Sequence, residues 1–135
     1  MGRVIETLSR DGITVNVTAV MTLDQVRKVV DRLAPHAAAI VSVFAGRIAD
    51  TGRDPVPLMA AAVQLLKPYP QVELIWASPR ELLNIFHADQ VGCHIITVTH
   101  DLLKKLPLVG KDLDEYSLDT VKMFRTDAVK AGFKL

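Results

Sequence analysis

A chain of 135 residues has the length of one domain. Half of the residues are hydrophobic and the mean hydropathy is +0.25, which excludes a disordered chain. Sixteen Lys and Arg against fifteen Asp and Glu leave a formal charge of +1, so the charge footprint of a nucleic-acid-binding domain is missing.

In chain order, Arg3–Arg10 reads as the tail of a helix ended by Asp11–Gly12. Ile13–Val20 follows as a strand. Leu23, Val26, Val30 and Leu33 then form a stripe at helical spacing, with Thr22 and Gln25 as a capping box at its start. Ala39–Phe44 is the second strand. Asp54–Pro55 opens a helix whose inner face is Leu58, Ala62 and Leu65–Leu66. Val72–Ala77 is the third strand, and Ser78, Pro79 and Glu81 supply an N-cap, a first-turn proline and an N3 acid for the helix after it. Ile95–Val98 is the fourth strand, and Thr99 caps a short helix through Leu106. Asp112, Asp114 and Glu115 read as a solvated loop. Ser117 caps a last helix carrying Leu118, Val121, Phe124 and Ala128, stopped by Gly132.

The order is α-βα-βα-βα-βα-α, with no low-complexity linker, so residues 1–135 are read as a single domain. The strands are rich in Val and Ile and nearly continuous in apolar character, which predicts a parallel sheet covered on both faces. Two closures fit: an open doubly wound sheet, or half of an eight-stranded barrel. A lone cysteine, Cys93, forms no internal disulfide and points to a reducing, cytoplasmic setting. The uncharged stretch from Leu33 to Gly46 is too short and too polar to cross a membrane. The N-terminus has no apolar signal core, and Glu6 stands where a myristoylation motif has Ser or Thr. The expectation is a cytoplasmic protein with no membrane or nucleic-acid partner.

The polar residues on the strands are the informative ones. Alternation places Thr14, Asn16 and Thr18 on one face and Val15, Val17 and Ala19 on the other. An asparagine inside a sheet must have its amide satisfied, either by a polar network or by a site at the strand's carboxyl end. Ser42 lies within the second apolar run, and Arg47 follows just past it, after a Gly46 that lets the backbone turn sharply. The planar guanidinium suits a phosphate. Ser78 as an N-cap is a complete structural account of that serine. A helix start after a strand is also an anion site, and Arg80, placed against the helix dipole, is better explained by an anionic ligand. The four histidines have no metal-binding spacing, so no metal is expected, and no phosphate-loop, dinucleotide or nucleophile-elbow motif is present. Trp76 and Cys93 read as core residues. None of the eight lysines falls on a predicted strand.

The segments Asn16–Val20, Ile40–Ile48 (IVSVFAGRI), Ala77–Arg80 (ASPR) and Ala88–Thr99 resemble the transaldolase family in order and approximate spacing. The likeness is clear from Leu8 to about Leu106. It implies an α/β fold derived from the TIM barrel: a half barrel made of the last four βα units of a (β/α)8 barrel, plus a C-terminal helix. The family moves a dihydroxyacetone unit between sugar phosphates through a lysine Schiff base, without a cofactor. By resemblance, Asn16 contacts the Schiff-base intermediate, Thr18 helps hold the catalytic water, Ser42 borders the substrate, and Arg47, Ser78 and Arg80 grip the phosphate. The family's Schiff-base lysine, catalytic aspartate and water-activating glutamate belong to strands of the other half. The expectation is therefore a sugar-phosphate grip without the amine nucleophile, inactive alone or active only with an N-terminal half. A half barrel leaves an inner sheet face and two edges open, with Val20, Ile40, Phe44 and Trp76 near them, which predicts a homo-oligomer or a complementary partner. The alternative is a non-catalytic sugar-phosphate-binding or assembly module.

Overall fold

Strands and helices alternate as the apolar pattern requires, and the sheet they form is parallel throughout. The structure, a computed structural model, describes residues 2–134. It contains two compact units, one running through Leu103 and the other starting at Lys104. The first unit holds α1 (Gly2–Arg10), β1 (Val15–Val20), α2 (Leu23–Val30), β2 (Ala39–Val43), α3 (Ala45–Asp50) and α4 (Pro55–Leu66). It continues with β3 (Val72–Trp76), α5 (Leu83–Gln90), β4 (Ile95–Ile96) and α6 (His100–Leu103). The second unit holds a 3₁₀ turn (Leu106–Leu108) and α7 (Leu113–Lys130).

Local chemistry sets the helix starts. Thr22 Oγ1 accepts from Gln25 N at 3.2 Å, and Gln25 Oε1 accepts from Thr22 N at 3.1 Å, so the expected capping box is formed. Asp54 accepts from Val56 N at 2.9 Å, with Pro55 at the first helical position of α4. α7 starts earlier than expected. Asp112, not Ser117, is its cap, accepting from Glu115 N at 3.0 Å, and Asp114 and Glu115 form its acidic first turn. An earlier oxygen acceptor and two acids at the positive dipole end extend the helix backward through Ser117. α6 is also shorter than expected, ending at Leu103, with Leu106 and Pro107 in the separate 3₁₀ turn.

The strand order is β1-β2-β3-β4, with neighbours paired in chain sequence. An open doubly wound sheet reverses direction at a switch point. Here there is none. The core contains Val26, Val29 and Val30 of α2, Met59, Ala62 and Leu66 of α4, and Ala88 of α5. Against them pack Val15, Val41, Val43, Val72, Leu74 and Trp76 from the strands. The partners Asn16, Ile40 and Glu73, and one step on Ser42, Ile75 and Ile95, share the opposite face. Helices on one face and sequential parallel order are the signature of four successive βα units of a barrel. The expectation of two covered faces is corrected: Asn16, Thr18 and Glu73 are exposed. The runs read as continuous because Ile40, Ile75 and Ile95 lie on the face without helices. Val20 and Trp76, expected near open surfaces, are buried in the helix-side core, while Ile40 and Phe44 are half-buried.

β1 breaks its own alternation. Val17 pairs with Val41 but Val20 pairs with Val43, an extra residue that marks a bulge. Ala19 takes it up at φ 61°, so Ala19 is exposed and Val20 turns into the core. Ala19 therefore does not share the face of Val15 and Val17.

Candidate functional site

The helix-free sheet face carries the first group of polar residues. The Ser42 hydroxyl donates to Asn16 Oδ1 at 2.7 Å, with Ser42 buried and Asn16 exposed. Adjacent parallel strands bring the two together, since Asn16 pairs with Ile40, two residues before Ser42. With Oδ1 committed to Ser42, the Asn16 amide N–H groups are the donors presented on this face. Thr18 stands exposed two residues further along β1. Asn16, read from the sequence as lying inside the sheet, is exposed, with its amide oxygen taken by Ser42.

The second group lies past the carboxyl ends of β2 and β3. β2 runs through Phe44 directly into α3, so Gly46 and Arg47 are helical rather than in a loop. Gly46 is required here for close approach, not for turning: a Cβ on it would lie 1.4 Å from the Ser78 carbonyl oxygen. Gly46 N also donates to Ala77 O at 3.3 Å. This contact presses the start of α3 onto the residues after β3. Across it, Arg80 Nε and Nη2 donate to the two Asp50 oxygens at 3.2 and 2.6 Å. The bidentate Arg80 guanidinium holds the Asp50 carboxyl below its ordinary range against a smaller opposing effect of desolvation, and the nearby Arg47 charge pulls the same way. The Arg80 value is raised by the same hydrogen bond. Arg47, Ser78 and Arg80 are thus gathered around one seam, with two guanidinium charges against one carboxylate.

Ser78 and Arg80 do not play the helical parts expected of them. α5 begins at Leu83 with no side-chain cap, and Ser78 sits at φ 58° in the left-handed region. Pro79, Arg80 and Glu81 precede the helix instead of forming its first turn. The amides expected to face an anion are used internally, since Asn84 Oδ1 accepts from Arg80 N at 2.8 Å and Glu81 N at 2.9 Å. Sequence reasoning missed both Asp50 and Asn84. Asp50 lies one helical turn from Arg47, a usable signal, but its bond to Arg80 spans 30 positions. Asn84 had no signal beyond its place in an otherwise apolar segment.

Cys93 and His94 complete the β3–β4 junction. Leu74 N donates to His94 Nδ1 at 3.0 Å, and Cys93 Sγ donates to Leu74 O at 3.2 Å. Burial pushes the free Cys93 thiol upward. Clefts of about 470 and 400 Å³ also lie in this unit, and Thr18 lines the second. The first is lined by Glu6, Arg10, Lys28 and Asp31, and Arg10 and Lys28 pair within their own helices with Glu6 and Asp24, each at 2.6 Å. The second follows β1 from Val17 to Val20 beside Ile5 and Val29. Among the described residues no acid, histidine and cysteine cluster suits a metal ion, and no helix is long and apolar enough to cross a membrane.

Comparison with known proteins identifies the family of this chain. The family model described as transaldolase/fructose-6-phosphate aldolase matches residues 1–135. A probable transaldolase of Thermoanaerobacter sp. (strain X514) is 31% identical over 135 residues, covering 98% of this chain and 58% of the relative. One from Methanococcus maripaludis (strain C7) is 30% identical over 121 residues, covering 87% and 54%. One from Nitrosopumilus maritimus (strain SCM1) is 31% identical over 123 residues, covering 87% and 54%. The chain spans little more than half the length of these relatives.

Proposed function

This chain belongs to the transaldolase/fructose-6-phosphate aldolase family, and on that premise we propose that it supplies the sugar-phosphate-gripping half of an aldolase-type site. Arg47, Arg80 and Ser78 take the phosphate, and Asn16, Thr18 and Ser42 line the path of the carbon chain. The observation that carries this reading is the seam where Gly46 meets Ser78, which sets two guanidinium groups around Asp50 at the ends of adjacent strands. Barrel enzymes keep their chemistry at this end of the strands.

A Schiff base needs an amine beside the bound carbonyl. β1 to β4 contain no lysine. The lysine therefore comes from outside these strands, in a complementary N-terminal half. The edge of β1, with an apolar cleft along Val17–Val20, is the surface suited to such a half. Borohydride treatment of the purified chain with a ketose phosphate is expected to trap no adduct. A trapped adduct on one of its lysines contradicts the assignment, and loss of phosphate binding in Arg80→Ala supports it.

A second reading, a binding or assembly module acting as a homo-oligomer, is favoured by α7. Leu113, Tyr116, Val121, Phe124 and Ala128 recur at helical spacing along it, and none of its residues is buried. Light scattering at micromolar concentration tests this: association is expected, and a sharply melting monomer contradicts it.

A further inference from the structure

Arg80 has a long, flexible side chain, yet its backbone is held from two sides. On one side the Ser78 carbonyl abuts Gly46, too close for any side chain at position 46. On the other, Asn84 turns back from the first turn of α5 and accepts from two consecutive amides, Arg80 N and Glu81 N. Asn84 is itself 8% exposed and fixed by its own N–H to Glu81 O at 3.0 Å. Ser78 at φ 58° is a costly conformation for a residue with a Cβ, and it persists only where neighbours over-determine it.

We propose that Asn84 is a positioning residue for the anion site: by closing the turn over residues 78–81 it aims the Arg80 guanidinium across the seam at Asp50 and any phosphate bound there. The inference rests on the phosphate reading above for its ligand, but not for its geometry. An amide oxygen is the acceptor that suits this place. It accepts from two part-buried donors without adding a second carboxylate beside a guanidinium that already pairs with Asp50. It also takes up the Arg80 and Glu81 amides, just before α5, so that neither is free to bind an anion. Closing the turn through one side chain makes the orientation of Arg80 depend on a residue that does not itself touch the ligand.

The test has one readout that needs no ligand and one that does. The Arg80 Nε–H resonance reports the bond to Asp50 directly, and Asp50→Asn identifies it by its displacement. In Asn84→Ala this resonance is expected to merge with those of solvated arginines, and the Arg80 and Glu81 amides to exchange at least about tenfold faster. Affinity for inorganic phosphate is expected to fall about tenfold, the worth of one charge-assisted contact. Asn84→Asp, which keeps the acceptor oxygens, is expected to retain the Nε–H signal and the amide protection. An Asn84→Ala chain with wild-type Nε–H position and wild-type phosphate affinity overturns the proposal. If Asn84→Ala fails to fold, Asn84→Asp decides: a folded Asp variant that has lost the Arg80 signal overturns it equally. A wild-type chain that binds no phosphate sinks the phosphate reading instead, while the Nε–H signal still judges whether Asn84 places Arg80.

Discussion

The carboxyl ends of β1 and β3 each carry a non-glycine residue in the left-handed region, Ala19 at φ 61° and Ser78 at φ 58°. Their surroundings differ. Ser78 is pressed against Gly46 and followed by a turn that Asn84 closes with two hydrogen bonds. Ala19 is exposed, on an edge strand beside the cleft of about 400 Å³. The same backbone device is thus buttressed where it carries Arg80 and open where β1 has no outer neighbour. Strained residues of this kind cost on the order of 1–3 kcal/mol and are kept where surrounding contacts hold them. The difference marks the β2–β3 end as the more firmly held of the two.

The largest expected effect breaks the buttressed side. Gly46→Ala places a methyl group on the Ser78 carbonyl, which is backbone and cannot swing away. It is expected to destabilise the chain by about 3 kcal/mol or more in urea unfolding. A neutral result would mean that α3 and the 78–81 turn are not in contact. Next comes the ligand-facing role of the seam. Arg80→Ala is expected to weaken phosphate binding about tenfold with little change in the fold, read by calorimetry and circular dichroism. Equal affinity in both chains removes Arg80 from the grip.

Acidification gives a third handle. Asp50 has a folded value lowered by Arg80, so the stability its ion pair contributes is present above the ordinary carboxylate range and lost as pH falls through the depressed folded value. Followed by its carboxyl carbon resonance, Asp50 is expected to titrate below an ordinary aspartate and to move back upward in Arg80→Ala. An unshifted wild-type midpoint contradicts the pairing. The smallest effect sharpens the comparison itself. Ala19→Gly relieves the left-handed strain at the unsupported end and is expected to stabilise by no more than about 1 kcal/mol, because glycine's extra chain entropy offsets part of the gain. A clear loss of stability would show that the Ala19 methyl group already has a partner.

Much of this fold was legible because it rests on local signals. The Thr22–Gln25 box, the Asp54–Pro55 start and the apolar strand runs are statements about neighbouring residues, and they appear where the sequence places them. The errors cluster where a distant residue decides. Ser78 reads as a cap from Pro79 and Glu81, yet Gly46 and Asn84 hold it in another conformation, so α5 starts at Leu83. The bulge at Ala19 is invisible in an alternating Val-Asn-Val-Thr run, because it is the register with β2 that demands it. Asn16 and Ser42 stand out as polar residues within apolar strands, and their hydrogen bond follows once the strands are adjacent and parallel. Asp50 draws no reading from the sequence, since nothing local says that Arg80 crosses the seam to meet it. Position at the strand ends names the two arginines; only the fold supplies the carboxylate they both act on and the asparagine behind Arg80.

The proposed function places an anion grip built around Arg47 and Arg80 at the ends of β2 and β3. Its most direct test is a titration of the ¹⁵N-labelled chain with inorganic phosphate at low salt, alongside an Arg47→Ala/Arg80→Ala double variant. Saturable shifts are expected, confined to residues 44–50 and 77–84 and including the Arg80 Nε–H, and they are expected to disappear in the double variant. Shifts that survive in the double variant, or that gather instead around Arg10, Lys28 and Arg32, would contradict it.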